Sequence, residues 1–397
     1  MQSMFGMKDL VFLTNQQKNV KYLWIGIIKM MKNSILPGLG LSICIALIGF
    51  YFSDFVGIEI MGFKKSPISS IMLAIILGFI LGNTINFSNL FNSGSGIFLP
   101  GIDFGVKTVL RLGIVCLGIR LGLGDIFKLG TSALPIIAIC LISALIIVTY
   151  LSKKLNISSR MAILIAVGTS ICGTSAIVAT APVIDANKEE ATYAIANITV
   201  FGILAMFLYP FFANYLFSGN EYAAGLFIGT SIHETAQVAG AGLIYADQFN
   251  SEVVLDVSTV TKLARNTCMI IIIPIMAFIY HRNSKLNSKN KKIEILNIFP
   301  LFIFGFIAMG LFRTLGDISI QSYGFGYGYI EPKLWFEIVE FIKKTAELLL
   351  TVAMASLGLS TNIRSISKLG VKPFYLGFAS ALSVGVVSFI SITLIIV

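Results

Sequence analysis

Apolar stretches close to twenty residues long recur along this chain from Ile35 to Val397, separated by short breaks rich in Gly, Pro, Asn and charge. Roughly twenty apolar residues span a bilayer as a helix, so the pattern predicts a polytopic bundle rather than a water-soluble core. Read against turn and charge signals, it predicts eleven helical spans, ten if one is not a true crossing, at about 34–52, 66–82, 101–122, 131–150, 161–184, 191–217, 223–244, 253–280, 296–313, 340–361 and 373–396. The expected fold is an all-α membrane domain over 34–397, preceded by a basic segment over 1–33 that lies in the cytoplasm or at the interface.

Composition agrees with the pattern: 56% of the 397 residues are hydrophobic and 12% are charged, against about a quarter charged in soluble domains. The polar start with Lys8, Lys18, Lys21, Lys29 and Lys32 is a poor match to a short cleavable signal peptide. The net charge of +10 resides in short loops beside apolar runs, where it orients the chain and does not point to nucleic acid. With eleven single crossings, the N-terminal tail and the basic loops 151–160, 281–295 and 362–372 share one side, while Asp185, Glu189, Glu190, Asp247, Glu252, Asp317, Glu331 and Glu337 fall on the other. The N-terminus is therefore expected inside and the C-terminus outside. Cys44, Cys116, Cys140, Cys172 and Cys268 all sit in apolar runs without CxxC spacing, so neither a disulfide nor a zinc site is expected.

Two internal echoes stand out. "LGIRLGLGDIFKLG" (117–130) and "LGLSTNIRSISKLG" (357–370) each close an apolar span, and the topology puts them on opposite sides, as an inverted repeat requires. "GTSICGTSA" (168–176) and "GTSIHETAQ" (229–237) share four opening residues, but as single crossings their spans enter from the same side. A re-entrant segment counted as a span would change that parity. The loop "YGFGYGYI" (323–330) lacks the strand-then-helix setting of a dinucleotide fingerprint and reads as a lid or linker.

Candidate chemistry concentrates in the GTSI segments. Thr169, Ser170, Gly173, Thr174 and Ser175 fall within seven residues, consistent either with close helix packing or with a helix broken near Gly173 whose freed N–H groups and hydroxyls face a cavity. "HETAQ" offers His233, Glu234, Thr235 and Gln237; Gln237 stands where a zinc protease needs its second histidine, so no metal is expected. "VTKLARN" places Lys262, Arg265 and Asn266 on one helical face well inside a span, and Lys107 and Arg111 do the same in the third span. Arg120, near a span end, can snorkel. Set against Glu234 and Glu347, these bases leave a positive interior, balanced either by an anionic ligand or by the C-terminal ends of half-helices. No Gly-x-Ser-x-Gly elbow or triad is apparent, no cofactor is implied, and an enzyme is not expected.

Together "GTSICGTSAIVATAPVI", "GTSIHETAQVAGAG", "VTKLARN" and "ASLGLSTN…KLGVKP" resemble the YeiH-type family of bacterial multi-pass membrane proteins, usually described as sulfate exporters. The resemblance covers about 34–397, apart from the 315–337 loop, and departs at Glu234, where the family often has Asp. It implies kinship with the sodium–proton antiporter and bile-acid symporter superfamily, inverted repeats with crossed interrupted helices, a bacterial inner-membrane location, and a small oxyanion such as sulfate, sulfite or an organosulfonate as substrate. By that resemblance Thr169, Ser170, Cys172, Gly173, Thr174 and Ser175 face His233, Glu234, Thr235, Gln237, Lys262 and Arg265, and Arg111 is added from its own span. A sodium- or proton-coupled carrier using Glu234, a homodimer, and an intramembrane enzyme or sensor using His233 and Glu234 stay open beside this reading.

Overall fold

The computed structural model describes residues 34–55, 59, 69–84, 97–283, 301–361 and 371–397. The expected N-terminal segment 1–33 and most of the two basic loops near 281–295 and 362–372 lie outside the described residues. Within them, every regular element is helical: α1 (Leu36–Asp54), α2 (Ser70–Thr84), α3 (Leu99–Phe104), a π turn (Gly105–Val109), α4 (Leu110–Leu117), a 3-10 turn (Gly118–Arg120) and α5 (Leu123–Lys154) come first. They are followed by α6 (Ser159–Ser170), α7 (Thr174–Thr180), α8 (Lys188–Leu216), α9 (Glu221–Ser231), α10 (Thr235–Phe249), α11 (Glu252–Thr267), α12 (Met269–Asn283), α13 (Phe302–Tyr323), α14 (Pro332–Ser360) and α15 (Val371–Ile395). Helices α1, α5, α8, α13 and α15 are long and apolar enough to cross a membrane, and α11 with α12, bent by 40°, make a sixth such unit.

Small residues set how closely these helices pack, because in lipid van der Waals fit rather than burial from water draws helices together. Gly38 lies on the backbone of Gly101 and Ile102, and Gly78 and Gly82 lie on the backbone of α14 at Ala355 and Leu359. Ser356 of α14 donates to Ser42 of α1 at 2.8 Å. These contacts fix the directions: α1, α3–α4 and α13 run from a first end of the bundle to a second, and α2 and α14 run back. At the first end Arg160 Nε meets the Tyr280 hydroxyl (2.9 Å) and Asn197 Nδ2 donates to the Pro373 carbonyl (2.5 Å). At the second, Ser132 and Tyr222 share a hydrogen bond of 2.6 Å.

Arg120 does not snorkel. Its guanidinium pairs with Asp256 (2.5 Å) and Glu252 (2.7 Å) of α11, with only 9% of its side chain exposed. Tyr327 anchors the 323–330 loop: its hydroxyl donates to Phe312 O at 2.7 Å, and its ring lies 5.3 Å from Phe312 and 5.6 Å from Trp335, while Tyr323 and Tyr329 stay exposed.

The largest departure from expectation lies at 159–187 and 221–249. Each is a helical hairpin that returns to the end it came from. In the first, Ser158 caps α6 and also donates to Glu190 at the start of α8 (2.8 Å), so seven helical residues and two turns have brought the chain back to its entry point. Gly168 faces Ile177 across the hairpin, and Leu164, Ile165, Ile177, Ile184 and Ile198 fill one cluster. A capping box at Asn187 and Glu190 then starts α8 cleanly (2.7 and 3.1 Å).

The second hairpin enters from the opposite end. Asn220 caps α9 through the Ala223 N–H (3.0 Å), and α10 closes beside the last turns of α8, with Tyr245 donating to Asn214 (3.2 Å) and Phe249 edge-on to Phe211 (5.9 Å). Helix α11 runs alongside, its Ser258 lying against both Gly229 and Gly242. The echoed residues 117–120 and 357–361 do lie at opposite ends, Arg120 beside Glu252 and Gly358 beside Phe79.

Candidate functional site

The two hairpins turn at Ile171–Gly173 and Ile232–Glu234, and the repeated GTSI supplies the last turn of each entering helix. In the first tip the Gly173 N–H reaches Gly168 O (3.0 Å), and Gly173 takes φ +72°, a left-handed conformation natural to glycine. A Cβ there would also run into the Glu234 side chain, so the absence of a side chain is what lets the two tips touch.

Every helix that ends inside protein leaves carbonyls without donors. Here α6 and α9 both end so, and α11 answers both. Lys262 Nζ donates to Ile171 O and Ile232 O, each at 2.9 Å, and also to His233 O. Arg265 Nε donates to Ser170 O (2.7 Å), one terminal nitrogen to Thr230 O (2.5 Å) and Ile232 O (3.3 Å), and the other to Thr169 O. Both side chains are fully buried, at 0% exposure. Of the two balances open in the sequence, the half-helix carbonyls are the one these cations meet. All three ammonium donors of Lys262 are thereby used.

The opposite, positive ends of the hairpins are the starts of α7 and α10, and Glu234 sits at both. Its Oε1 accepts from the Thr174 N–H (3.3 Å) and from the Thr174 hydroxyl. It is also the N-cap of α10, where its own N–H donates to Gln237 Oε1 (3.1 Å). Asn266, one turn past Lys262, donates to the Thr235 hydroxyl (3.0 Å). Because the chain is broken at 232–234, Thr230, Glu234 and Gln237 do not share one helical face as a continuous helix would have given.

The site therefore has two sides. Thr169, Ser170, His233, Gln237, Lys262 and Arg265 are buried, whereas Thr174, Glu234 and Thr235 are partly exposed and Ser175 is exposed. Ser231 Oγ, His233 Nδ1 and Asn266 Oδ1, all buried, have no hydrogen-bond partner among the described residues. Arg111 does not join this assembly: it is exposed on α4, as is Lys107 in the π turn, where it pairs with Asp103 (2.8 Å). Both helical positions are turned outward because α3–α4 buries its other face on α1, α13 and α14. Glu347, counted as interior, is exposed on α14. The acidic partners of Arg120 went unseen, although Glu252 and Asp256 are spaced four apart on the helix that also carries Lys262.

Comparison with known proteins shows the family of this chain. The family described as conserved hypothetical protein 698 matches residues 37–377. A UPF0324 membrane protein of Fusobacterium nucleatum is 34% identical over 327 residues, covering 81% of this chain and 88% of its own length. The chain belongs to the UPF0324 family. This is the YeiH-type family that its motifs resemble, and a UPF0324 membrane protein of Streptococcus agalactiae is 33% identical over 353 residues, 89% of this chain and 95% of the relative. A third, from Pasteurella multocida, is 33% identical over 315 residues, 79% and 84% of the two chains. The UPF0324 relatives carry the description membrane protein, in agreement with the apolar helices. No solved structure matches.

Proposed function

We propose that this UPF0324 protein is a secondary transporter that carries a small oxyanion, of the sulfate, sulfite or organosulfonate class, across a bacterial inner membrane by alternating access. The observation that carries the reading is the meeting of two hairpin tips that enter from opposite ends of the bundle. With the bundle set across a bilayer, α1, α2, α3–α4, α5, α8, α11–α12, α13, α14 and α15 cross, and the two hairpins dip in from opposite faces. That arrangement has the sense of an inverted repeat, and broken helix ends at mid-depth are tolerated only where they are buried or line a cavity. The end holding Lys153, Lys154 and Arg160 is then cytoplasmic and the C-terminus outside.

In this reading Lys262 and Arg265 hold the negative ends of α6 and α9 together, and the ligand meets the other side, where Thr174, Ser175 and Thr235 present hydroxyls beside the start of α10. Ser231, His233 and Asn266 supply further polar atoms. The direct test is flux of labelled sulfite and sulfate in proteoliposomes. The reading expects saturable flux that falls by about tenfold, roughly 1.4 kcal/mol, in Thr235→Val; absence of flux for this anion class, or flux unchanged in the variant, overturns it.

One observation favours a coupled form of the same carrier. Glu234 already places a carboxylate where an anion would meet the hairpin starts, so entry of the substrate is linked to a cation or proton that neutralises Glu234. A sodium or pH gradient then drives flux in the native protein and has no effect in Glu234→Gln.

A further inference from the structure

The outward face of α3–α4 carries charges at a depth where lipid cannot accommodate them. The helix leaves the first end at Leu99 and reaches the second at Arg120, so at 1.5 Å per residue Lys107 lies about 12 Å and Arg111 about 18 Å along its path. Those depths fall within the middle of a hydrocarbon layer about 30 Å thick. Yet the Asp103 and Lys107 side chains, joined at 2.8 Å, are 59% and 64% exposed, and Arg111 is exposed one turn further on. A charge facing hydrocarbon at that depth costs about 2.5–3.5 kcal/mol even on the mildest scales.

The face also points away from the transport machinery. Helices α3 and α4 pack on α1, α13 and α14, while the hairpins pack mainly on α5, α8, α11 and α15, with α12 against the first and α2 and α14 touching α10 of the second. The π turn Gly105–Val109 sits under this patch, and Gly105 lies on Ser356 of α14, so the outward set of the polar residues is built into a tightly packed helix. On α1 Tyr51 is 74% exposed, and the register of Gly38 on Gly101 places it within about one turn of the height of Arg111.

We propose that this face is the interface with a second copy of the same chain, related by a two-fold axis along the membrane normal. The patch is complementary to itself under that symmetry. Opposite charges four residues apart on one helix let Asp103 of each copy reach Lys107 of the other, and the isologous contact makes both pairs at once. Arg111 lies at the height of the aromatic edge that α1 of the second copy presents, a partner suited to a desolvated guanidinium. Two parallel helices meeting in this way remove all three charges from lipid without involving the hairpins.

Copy counting needs no transport substrate, so it fails or succeeds independently of the function proposed above. Single-molecule photobleaching of the full chain, carrying one dye per C-terminus in lipid vesicles at low protein density, is expected to show two steps for the native protein. Lys107→Asp, which sets like charges against each other, is expected to give one step, and the exchanged pair Asp103→Lys with Lys107→Asp is expected to restore two. One-step bleaching of the native protein, two steps retained in Lys107→Asp, or one step in the exchanged pair overturns the interface. The exchanged pair keeps the intrahelical ion pair, so it separates loss of the contact from loss of the fold.

Discussion

Lys262 and Arg265 share the backbone carbonyls of both hairpin tips, three on the ammonium and four on the guanidinium, and Lys262 is the simpler of the two to test. It is buried among the ends of two half-helices and holds three carbonyls that no other described donor reaches through a side chain except at Ile232, which Arg265 shares at 3.3 Å. A buried carbonyl left without a donor costs about 1–3 kcal/mol, so Lys262→Met, which keeps the length and loses the donors, is expected to lower stability by several such increments. Thermal unfolding of purified native and variant protein reads this, and an unchanged midpoint contradicts the role assigned to the ammonium. Sequence alone exposes the cost of Lys262 and Arg265 at depth and leaves two answers open, an anion or half-helix ends, but it does not say which carbonyls are met, because the partners are backbone atoms. Any residue has a carbonyl, and the ones these bases meet are freed by the breaks that end α6 and α9. Glu234 and Thr174 both stand out as candidate chemistry in the sequence, whereas the missing Cβ of Gly173 matters only once the tips meet.

At the scale of elements, α11 is the member that joins the parts. Its first five residues carry Glu252 and Asp256 against Arg120, which ends the α3–α4 segment, and its third and fourth turns carry the two bases that hold both hairpins. Movement of the hairpins relative to α1–α4, α13 and α14 therefore strains or breaks the Arg120 pair. The pair is partly buried, with 9% and 17% of the Arg120 and Asp256 side chains exposed. A double-mutant cycle on Arg120→Ala and Asp256→Ala is expected to give a coupling on the order of 1–2 kcal/mol; additive effects on unfolding would show that the contact does not tie the two groups of helices. The apolar spacing and basic face of α11 are legible in the sequence, whereas the partners of Arg120 are not, because an arginine at a span end satisfies itself with water unless a carboxylate from a distant segment is brought to it.

For the whole molecule, the all-helical, membrane-type character was legible from apolar spacing, and the placement of 117–120 and 357–361 at opposite ends was as expected. The hairpins were not legible as hairpins. Two short apolar arms of a re-entrant hairpin add up to the length of one crossing helix, so 161–184 and 223–244 each passed as a span. The two hairpins leave the parity of the chain unchanged, so the side expected for each terminus is unaffected, while Asp185, Glu189 and Glu190 move to the end that holds the 151–160 loop. The same correction removes the objection to the GTSI echo: as hairpins, the two segments enter from opposite ends, and their shared opening is the shared last turn before a buried tip.

The sidedness of four loop positions tests that arrangement most directly. In right-side-out and inverted vesicles of a background lacking reactive cysteines, single cysteines at Asn156, Asn187, Gly219 and Asn250 are labelled with an impermeant maleimide. The re-entrant arrangement predicts that Asn156→Cys and Asn187→Cys react from one side, and Gly219→Cys and Asn250→Cys from the other. If Asn187→Cys instead reacts from the side opposite Asn156→Cys, the first hairpin crosses the membrane, and two tips meeting from opposite faces cannot be the site.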